Sequence, residues 1–204
     1  MAYLIDCSNN NGSVDFHRVR QSGVAGCWLK ATEGVTFTDA LYAGSAHEAR
    51  TVGLRAGAYH FAHPEKNSAL QEADFFCRVI GKPKRRDLRP VLDFEVKTTL
   101  HPVILEGWAH RFCQRVYHNI GVLPLFYSYT SYIETMHPVK PIGAGLWLAD
   151  YNGLLHVAAP KPWKHVTAHQ YTDKASVLGV RGDCDKSWAP RLRPLLAHPV
   201  LGLV

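Results

Sequence analysis

Two acidic residues, Asp93 and Glu95, stand at the end of an apolar run that begins at Val91. Alternate side chains of an extended strand point to the same face, so both carboxyl groups face one side with Cα atoms roughly 6.5–7 Å apart. Carboxyl groups this close repel each other, and one of them keeps its proton near neutral pH. The spacing therefore favours general acid catalysis, as in glycosidases, although an Asp-x-Glu step also occurs by chance at solvated strand ends.

The elements that must position this pair alternate between strands and helices through the first two thirds of the chain. Strands are predicted at residues 2–7, 26–31, 54–61, 88–95, 123–128, 145–149, 165–171 and 180–185. Helices are predicted at residues 15–21, 39–52, 67–80, 101–119 and 131–136, with Thr38 capping the second of them. Alternation of this kind implies parallel strands joined by right-handed crossovers, and eight strands suffice to close a barrel. We therefore predict an α/β fold, a TIM-like barrel of eight strands with an incomplete helical coat.

The length of the chain fits one large domain or two small ones, and single α/β barrels commonly reach this length. We assign residues 1–187 to the barrel and residues 188–204 to a Pro-rich, apolar C-terminal tail. The tail either packs beneath the barrel or begins a linker. No membrane span is expected, because no uninterrupted apolar run approaches the roughly 20 residues that a span needs.

Reactive residues of such barrels lie at the C-terminal ends of the strands, and here those ends are rich in acidic and aromatic residues. The candidates for catalysis or binding are Asp6, Lys30, Glu33, Tyr59, Phe61, Asp93, Glu95, Tyr127, Trp147, Tyr151, Gln170 and Asp185. Carboxylates bind sugar hydroxyls and aromatic rings stack on sugar C–H faces, so this set favours a carbohydrate ligand.

Some of these candidates have a structural interpretation as well. Lys30 and Glu33 either touch the substrate or form an ion pair that braces the barrel mouth. The aromatic side chains at the strand ends either line a binding cleft or belong to the core.

Charge and composition restrict the function classes further. The net charge of +6 favours polyanions, and the dense basic run at residues 82–86 is either an anion-docking patch or a solvated loop. No nucleic-acid-binding motif accompanies the charge, so a basic nucleic-acid binder is the weaker alternative. Five cysteines without a C-x-x-C pair and twelve histidines without an H-E-x-x-H motif predict neither a metal nor a disulfide framework.

Six short motifs in this order resemble glycoside hydrolase family 25, the lysozymes that include many bacteriophage endolysins. They lie at residues 3–16, Lys30-Ala-Thr-Glu33-Gly34, Gly57-Ala-Tyr59-His-Phe61, Asp93-Phe94-Glu95, residues 146–151 and Gln170-Tyr171. The resemblance covers residues 3–187, and it implies a barrel of five β-α units closed by three further strands. It also implies that Glu95 is the proton donor and that Asp6, Asp93 and Asp185 complete the acidic set. The chain departs from the family pattern at Phe16, where Trp is frequent, and at Ser187, where Asn is usual.

By this resemblance, the substrate is bacterial peptidoglycan, cut at the β-1,4 bond between N-acetylmuramic acid and N-acetylglucosamine without a cofactor. Asp93 would assist Glu95, with participation of the substrate's acetamido group. We expect a monomer with no nucleic-acid partner. The N-terminus lacks a secretory signal, which predicts either a phage endolysin held in the host cytoplasm or export by another route. An inactive sugar-binding barrel is the main rival, and it would be expected to lose one acidic position, whereas all four are present.

Overall fold

The computed structural model describes residues 1–198; residues 199–204, the end of the predicted tail, lie outside the described part. The strands are β1 (Ala2–Cys7), β2 (Val24–Glu33), β3 (Phe37–Thr38), β4 (Arg55–Phe61), β5 (Val91–Asp93), β6 (Leu125–Tyr129), β7 (Leu146–Ala149), β8 (Val166–Ala175) and β9 (Cys184–Ala189). The helices are α1 (Phe16–Gln21), α2 (Tyr42–Thr51), α3 (Ala69–Ile80), α4 (Pro102–Ile120) and α5 (Thr130–Met136).

Eight of these strands close into a barrel. Parallel pairing runs from β1 through β2, β4, β5, β6 and β7 to β8, and β9 then pairs antiparallel with both β8 and β1. Strand β3 adds a short antiparallel partner to β2. The predicted eight-stranded α/β barrel is confirmed, and its helices follow only the first five parallel strands.

Apolar side chains form two cores because successive strand residues point alternately inward and outward. The barrel interior contains Leu4, Trp28, Leu88, Val91, Leu125, Tyr127, Trp147, Ala168, Ala189 and Leu195. A larger core between the barrel and its helices includes Phe16, Phe76, Phe94, Phe112 and Phe126. Cys7 and Cys184 belong to this outer core, as their alternation with Asp6 and Asp185 predicts.

Strand β5 is shorter than predicted. The predicted strand covers residues 88–95, whereas the observed one covers Val91–Asp93. Pro90 has no N–H to donate, so the regular ladder begins only after it. Leu88 makes an isolated antiparallel bridge with Leu196 instead.

The last strand lies further along the chain than predicted, at Cys184–Ala189 instead of 180–185. Gly179 and Gly182 have φ angles of 96° and 78°, which belong to turns and do not fit an extended strand. Because β9 is antiparallel to its neighbours, its first residues lie at the same barrel mouth as the last residues of the parallel strands.

The second helix also begins later than predicted, at Tyr42, and Thr38 does not cap it. Thr38 pairs with Thr32 in the short β2–β3 hairpin. The Asp39 carboxylate accepts hydrogen bonds from the backbone N–H of Asn9 at 2.7 Å and of Leu41 at 2.9 Å. This contact ties the start of α2 to the loop after β1.

The described end of the chain packs beneath the barrel, at the N-terminal ends of the parallel strands. Leu195 is fully buried, and its carbonyl accepts a hydrogen bond from the Arg89 N–H at 2.7 Å. No helix among residues 1–198 is both long and apolar enough to cross a membrane.

Candidate active site

A cleft of about 370 Å³ opens at the mouth where the parallel strands end. Its walls consist of Asp6, Ser8, Asn10, Lys30, Tyr59, Phe61, Asp93, Glu95, Tyr127, Trp147, Tyr151, Gln170, Asp173 and Asp185. The structure thus brings together every sequence candidate except Glu33, which does not line the cleft but pairs with Lys30.

Asp93 and Glu95 face the cleft together, although β5 ends at Asp93. The Phe94 N–H donates to the Tyr127 carbonyl at 3.0 Å, and the Ser128 hydroxyl donates to the Phe94 carbonyl at 2.7 Å. These bonds hold the backbone against β6, while the Phe94 side chain is fully buried in the outer core. The alternation predicted from the sequence therefore persists past the strand end.

The surroundings of this pair favour protons on both carboxyl groups. Burial, followed by the charge of Glu95, raises the pKa of Asp93 well above its usual value. Burial, followed by the charge of Asp185, raises the pKa of Glu95. Asp93 Oδ1 is buried and has no hydrogen-bond partner among residues 1–198. A buried acceptor without a partner is costly, so this oxygen is available to a donor on a bound ligand.

A second acidic pair, Asp6 and Asp185, faces the first from the seam between β1 and β9, where the two residues are cross-strand partners. Burial and then the charge of Asp185 raise the pKa of Asp6 well above its usual value. Burial and then the charge of Asp173 raise the pKa of Asp185 to about 6. The pKa is therefore raised at all four carboxyl groups of these two pairs.

Gln170 connects the acidic seam to the aromatic wall. Its Nε2 donates to both carboxylate oxygens of Asp6, each at 3.1 Å. Its Oε1 accepts hydrogen bonds from the Tyr127 hydroxyl at 2.8 Å and the Tyr151 hydroxyl at 2.7 Å. Because its nitrogen and its oxygen are both hydrogen-bonded, the Gln170 amide orients the Asp6 carboxylate and both tyrosine hydroxyls.

Trp147 forms the floor of the cleft. Only 2% of it is exposed, Tyr127 packs edge-on against it, and Trp28 stacks beneath it with ring centroids 4.2 Å apart. Its indole N–H donates to the Ser187 hydroxyl at 2.9 Å. Ser187, the residue that departs from the family pattern, thus supports the floor. Tyr151 is half exposed and stands at the rim.

Lys30 and Glu33 form the ion pair that was one of the two interpretations of the sequence, with 2.6 Å between Lys30 Nζ and Glu33 Oε2. Lys30 also lines the cleft, and its ammonium group lies 5.0 Å from the centroid of the Phe61 ring. Burial alone would raise the pKa of Glu33, but its bonds to Lys30 and His63 outweigh burial and lower it.

Ser8, Asn10 and Asp173 line the cleft but were not candidates from the sequence. Ser8 caps the 3-10 turn at Asn9–Asn11, which carries Asn10 to the mouth. The run of asparagines after the first strand was the available signal. Asp173 lies beyond the predicted end of its strand, and the register of β8 shifts against β9 between Gln170 and Thr172.

Comparison with known proteins yields a consistent set of matches. Residues 5–180 match the family model described as "Glycosyl hydrolases family 25". The chain is 30% identical over 181 residues to the autolytic lysozyme of Clostridium acetobutylicum, covering 89% of this chain and 53% of that protein. The chain therefore spans about half the length of this curated relative.

Solved structures share the fold. The bacterial lysozyme from Streptomyces coelicolor superposes with a TM-score of 0.88 at 27% identity, covering 97% of this chain and 96% of that one. The CTP1L endolysin superposes with a TM-score of 0.74 at 30% identity, covering 93% of this chain and 66% of that one.

Proposed function

The chain belongs to glycosyl hydrolases family 25, and from this premise we propose that it is a lysozyme of the N-acetylmuramidase type. It hydrolyses the β-1,4 bond between N-acetylmuramic acid and N-acetylglucosamine in bacterial peptidoglycan. The observation that carries the proposal is the gathering of Asp6, Asp93, Glu95 and Asp185 with aromatic side chains in one cleft. Aromatic rings and carboxylates both bind sugars, but several acids buried together with raised pKa values are typical of a site that cleaves a bond.

Glu95 is the proton donor in this proposal. It is less buried than Asp93, which leaves its carboxyl group accessible to the leaving oxygen. Burial and then the charge of Asp185 raise its pKa, which is the direction that general acid catalysis requires. In the second step the deprotonated Glu95 acts as the base that takes a proton from the attacking water.

Asp93 acts on the substrate's 2-acetamido group. Two same-face carboxyl groups of neighbouring positions cannot easily flank opposite sides of a sugar ring, so the acetamido oxygen serves as the nucleophile. The unpartnered Oδ1 of Asp93 accepts the acetamido N–H. This bond stabilises the charged form of Asp93, and a charged Asp93 in turn favours the protonated form of the neighbouring Glu95.

Mass spectrometry of the soluble fragments from purified cell walls, after borohydride reduction, tests the proposal. Fragments that end in reduced N-acetylmuramic acid are expected. Fragments that end in reduced N-acetylglucosamine would assign the enzyme to the other glycosidic bond. Retention on the wall without any released fragment would identify the inactive sugar-binding barrel instead.

The stereochemistry of the product is a separate prediction. Attack by the acetamido oxygen and then by water inverts the anomeric carbon twice, so the first product is the β-anomer. Early proton NMR of a soluble muroglycan digest reads the anomer before mutarotation. An α-anomer appearing first would replace this scheme with a water activated by Asp6 or Asp185.

The basic surface predicts a salt effect that depends on the substrate. The run at residues 82–86 precedes β5, at the opposite end of the barrel from the cleft, and Lys82, Lys84, Arg85 and Arg86 are exposed. Attraction to an anionic wall is screened beyond roughly 8–10 Å at physiological salt, so activity on intact cells should fall as salt rises. Activity on a small soluble muroglycan should change less. Equal losses on both substrates would place the salt effect on catalysis or stability.

A bacteriophage endolysin is the biological setting that we propose. The match to the CTP1L endolysin supports it, and the match to an autolytic lysozyme supports a bacterial enzyme of the same activity equally well. Lysis of a host from within, on co-expression with a pore-forming protein, distinguishes an endolysin from an enzyme that acts only from outside.

A further inference from the structure

A chain of alternating charges leads from the protein surface to the catalytic cleft. Glu65 Oε1 lies 2.9 Å from His63 Nδ1, and Glu33 Oε1 lies 2.9 Å from His63 Nε2. The other oxygen of Glu33 lies 2.6 Å from Lys30 Nζ. Lys30 reaches into the cleft. His63 thus lies between two glutamates, Glu33 lies between His63 and Lys30, and Lys30 lies between Glu33 and the acidic cleft.

The geometry at His63 favours the charged form of its ring. Both ring nitrogens face carboxyl oxygens, and an ionised carboxylate only accepts hydrogen bonds, so the arrangement favours an imidazolium that donates from both nitrogens. Lys66 opposes this charge, but the bonds to Glu33 and Glu65 outweigh both Lys66 and burial, and the pKa of His63 is raised. The ring of the neighbouring His60 is hydrogen-bonded to Thr32 and Glu72. The backbone N–H of His63 also donates to the Glu72 carboxylate.

Lys30 stands where it can act on the catalytic pair. Its ammonium group lies over the rings of Phe61 and Phe37, at 5.0 and 5.4 Å from their centroids. Burial raises the pKa of Asp93 and of Glu95, and the charge of Lys30 opposes this rise at both groups. A lysine side chain has many rotamers, so it exerts a steady effect only if something fixes it.

We propose that His63 is a positioning residue: by binding Glu33 it fixes the Lys30 ammonium group in the wall of the cleft that also contains Asp93 and Glu95. The inference rests on the proposed function, because it concerns the proton donor of that reaction. It also gives Glu33 a role that needs no contact with the substrate, in agreement with its absence from the residues that line the cleft.

The test compares pH profiles of kcat/KM on a soluble muroglycan. In Lys30→Met the opposing charge is gone, so the pKa of Glu95 rises and the alkaline limb moves up by about one pH unit. His63→Ala should move the same limb in the same direction by about half a unit, because Lys30 is still present but no longer fixed. The double variant should shift no further than Lys30→Met alone, because both changes act through one charge.

His110→Gln is the matched control, since His110 also faces a glutamate, Glu106, but on helix α4. Its profile should equal that of the wild type. A uniform loss of rate in His63→Ala with an unmoved alkaline limb would reduce His63 to a structural residue and overturn the proposal. A double variant that shifts further than Lys30→Met would overturn it as well.

NMR of the wild-type imidazole nitrogens gives a second readout that needs no variant and no turnover. Protons on both nitrogens of His63 are expected at pH 6, and a neutral ring at pH 6 would contradict the proposed chain of charges. If the enzyme released no wall fragments, the proposed function would fail while this measurement still reported on His63.

Discussion

Replacing Glu95 by glutamine should leave the fold intact and remove nearly all wall-lytic activity. The change keeps the shape of the side chain but deletes the proton that the leaving oxygen needs. General acid catalysis contributes roughly 10²–10⁴-fold, and we expect kcat on a soluble muroglycan to fall by that factor. Circular dichroism and the melting temperature verify that the variant is folded.

The control for this experiment is Glu48→Gln, an exposed glutamate of helix α2, which should keep full activity. If folded Glu95→Gln retained more than about a tenth of the wild-type rate, Glu95 would not be the acid. Full retention in both variants, together with unchanged wall binding, would point to a proton donor elsewhere in the cleft, with Asp185 as the first alternative.

Asp93→Asn should lower activity and raise stability together. The neutral amide oxygen accepts the acetamido N–H more weakly than a carboxylate does and places no charge beside Glu95, and we expect a loss of about 10²-fold or more in kcat. At neutral pH the folded protein holds a carboxyl group in a buried site that opposes its ionisation. A neutral amide does not carry this cost, and each kcal/mol regained is worth about 2–4 °C in melting temperature for a chain of this size.

The sign of the pH dependence follows from the raised pKa. A carboxyl group whose folded pKa exceeds its unfolded value of about 3.9 stabilises the fold most below that value, and the contribution is lost as pH rises through the folded pKa. The pKa is raised at all four acidic residues of the cleft, Asp6, Asp93, Glu95 and Asp185. The stability that Asp185 contributes at acidic pH is lost as the pH rises through about 6. The wild-type melting temperature should therefore fall from acidic towards neutral pH through this cluster.

Calorimetry at pH 4.5 and 7.5 measures the effect. Asp93→Asn should gain stability mainly at pH 7.5, whereas Asp183→Asn, which neutralises an exposed aspartate near the same mouth, should not. An Asp93→Asn variant that was less stable than the wild type at pH 7.5 would show that the ionised carboxylate has a stabilising partner. Retention of activity in this variant would remove Asp93 from the mechanism.

The features that could be predicted from the sequence depend on local backbone geometry. Side chains alternate along any extended segment, so Asp93 and Glu95 share a face whether or not the strand continues past Asp93. The same holds for the glycines that end helices, for Ser68 as the cap of α3 and for the periodic spacing of apolar residues, because each of these signals acts over a few consecutive residues. Together they predicted five helices and eight barrel strands. Parallel strands joined by helices bring their ends to one mouth, which predicted the grouping of the acidic residues.

Local patterns could not predict how the barrel closes or how the polar groups inside its mouth are connected. Strand β9 starts four residues later than predicted and runs antiparallel, which sets Asp185 opposite Asp6. The bonds of Gln170 to Asp6, and of His63 to Glu33, join residues 164 and 30 positions apart in the chain. The physical reason is that alternation and capping are properties of a few consecutive residues, whereas strand register and long-range hydrogen bonds depend on which distant segments pack together when the core closes.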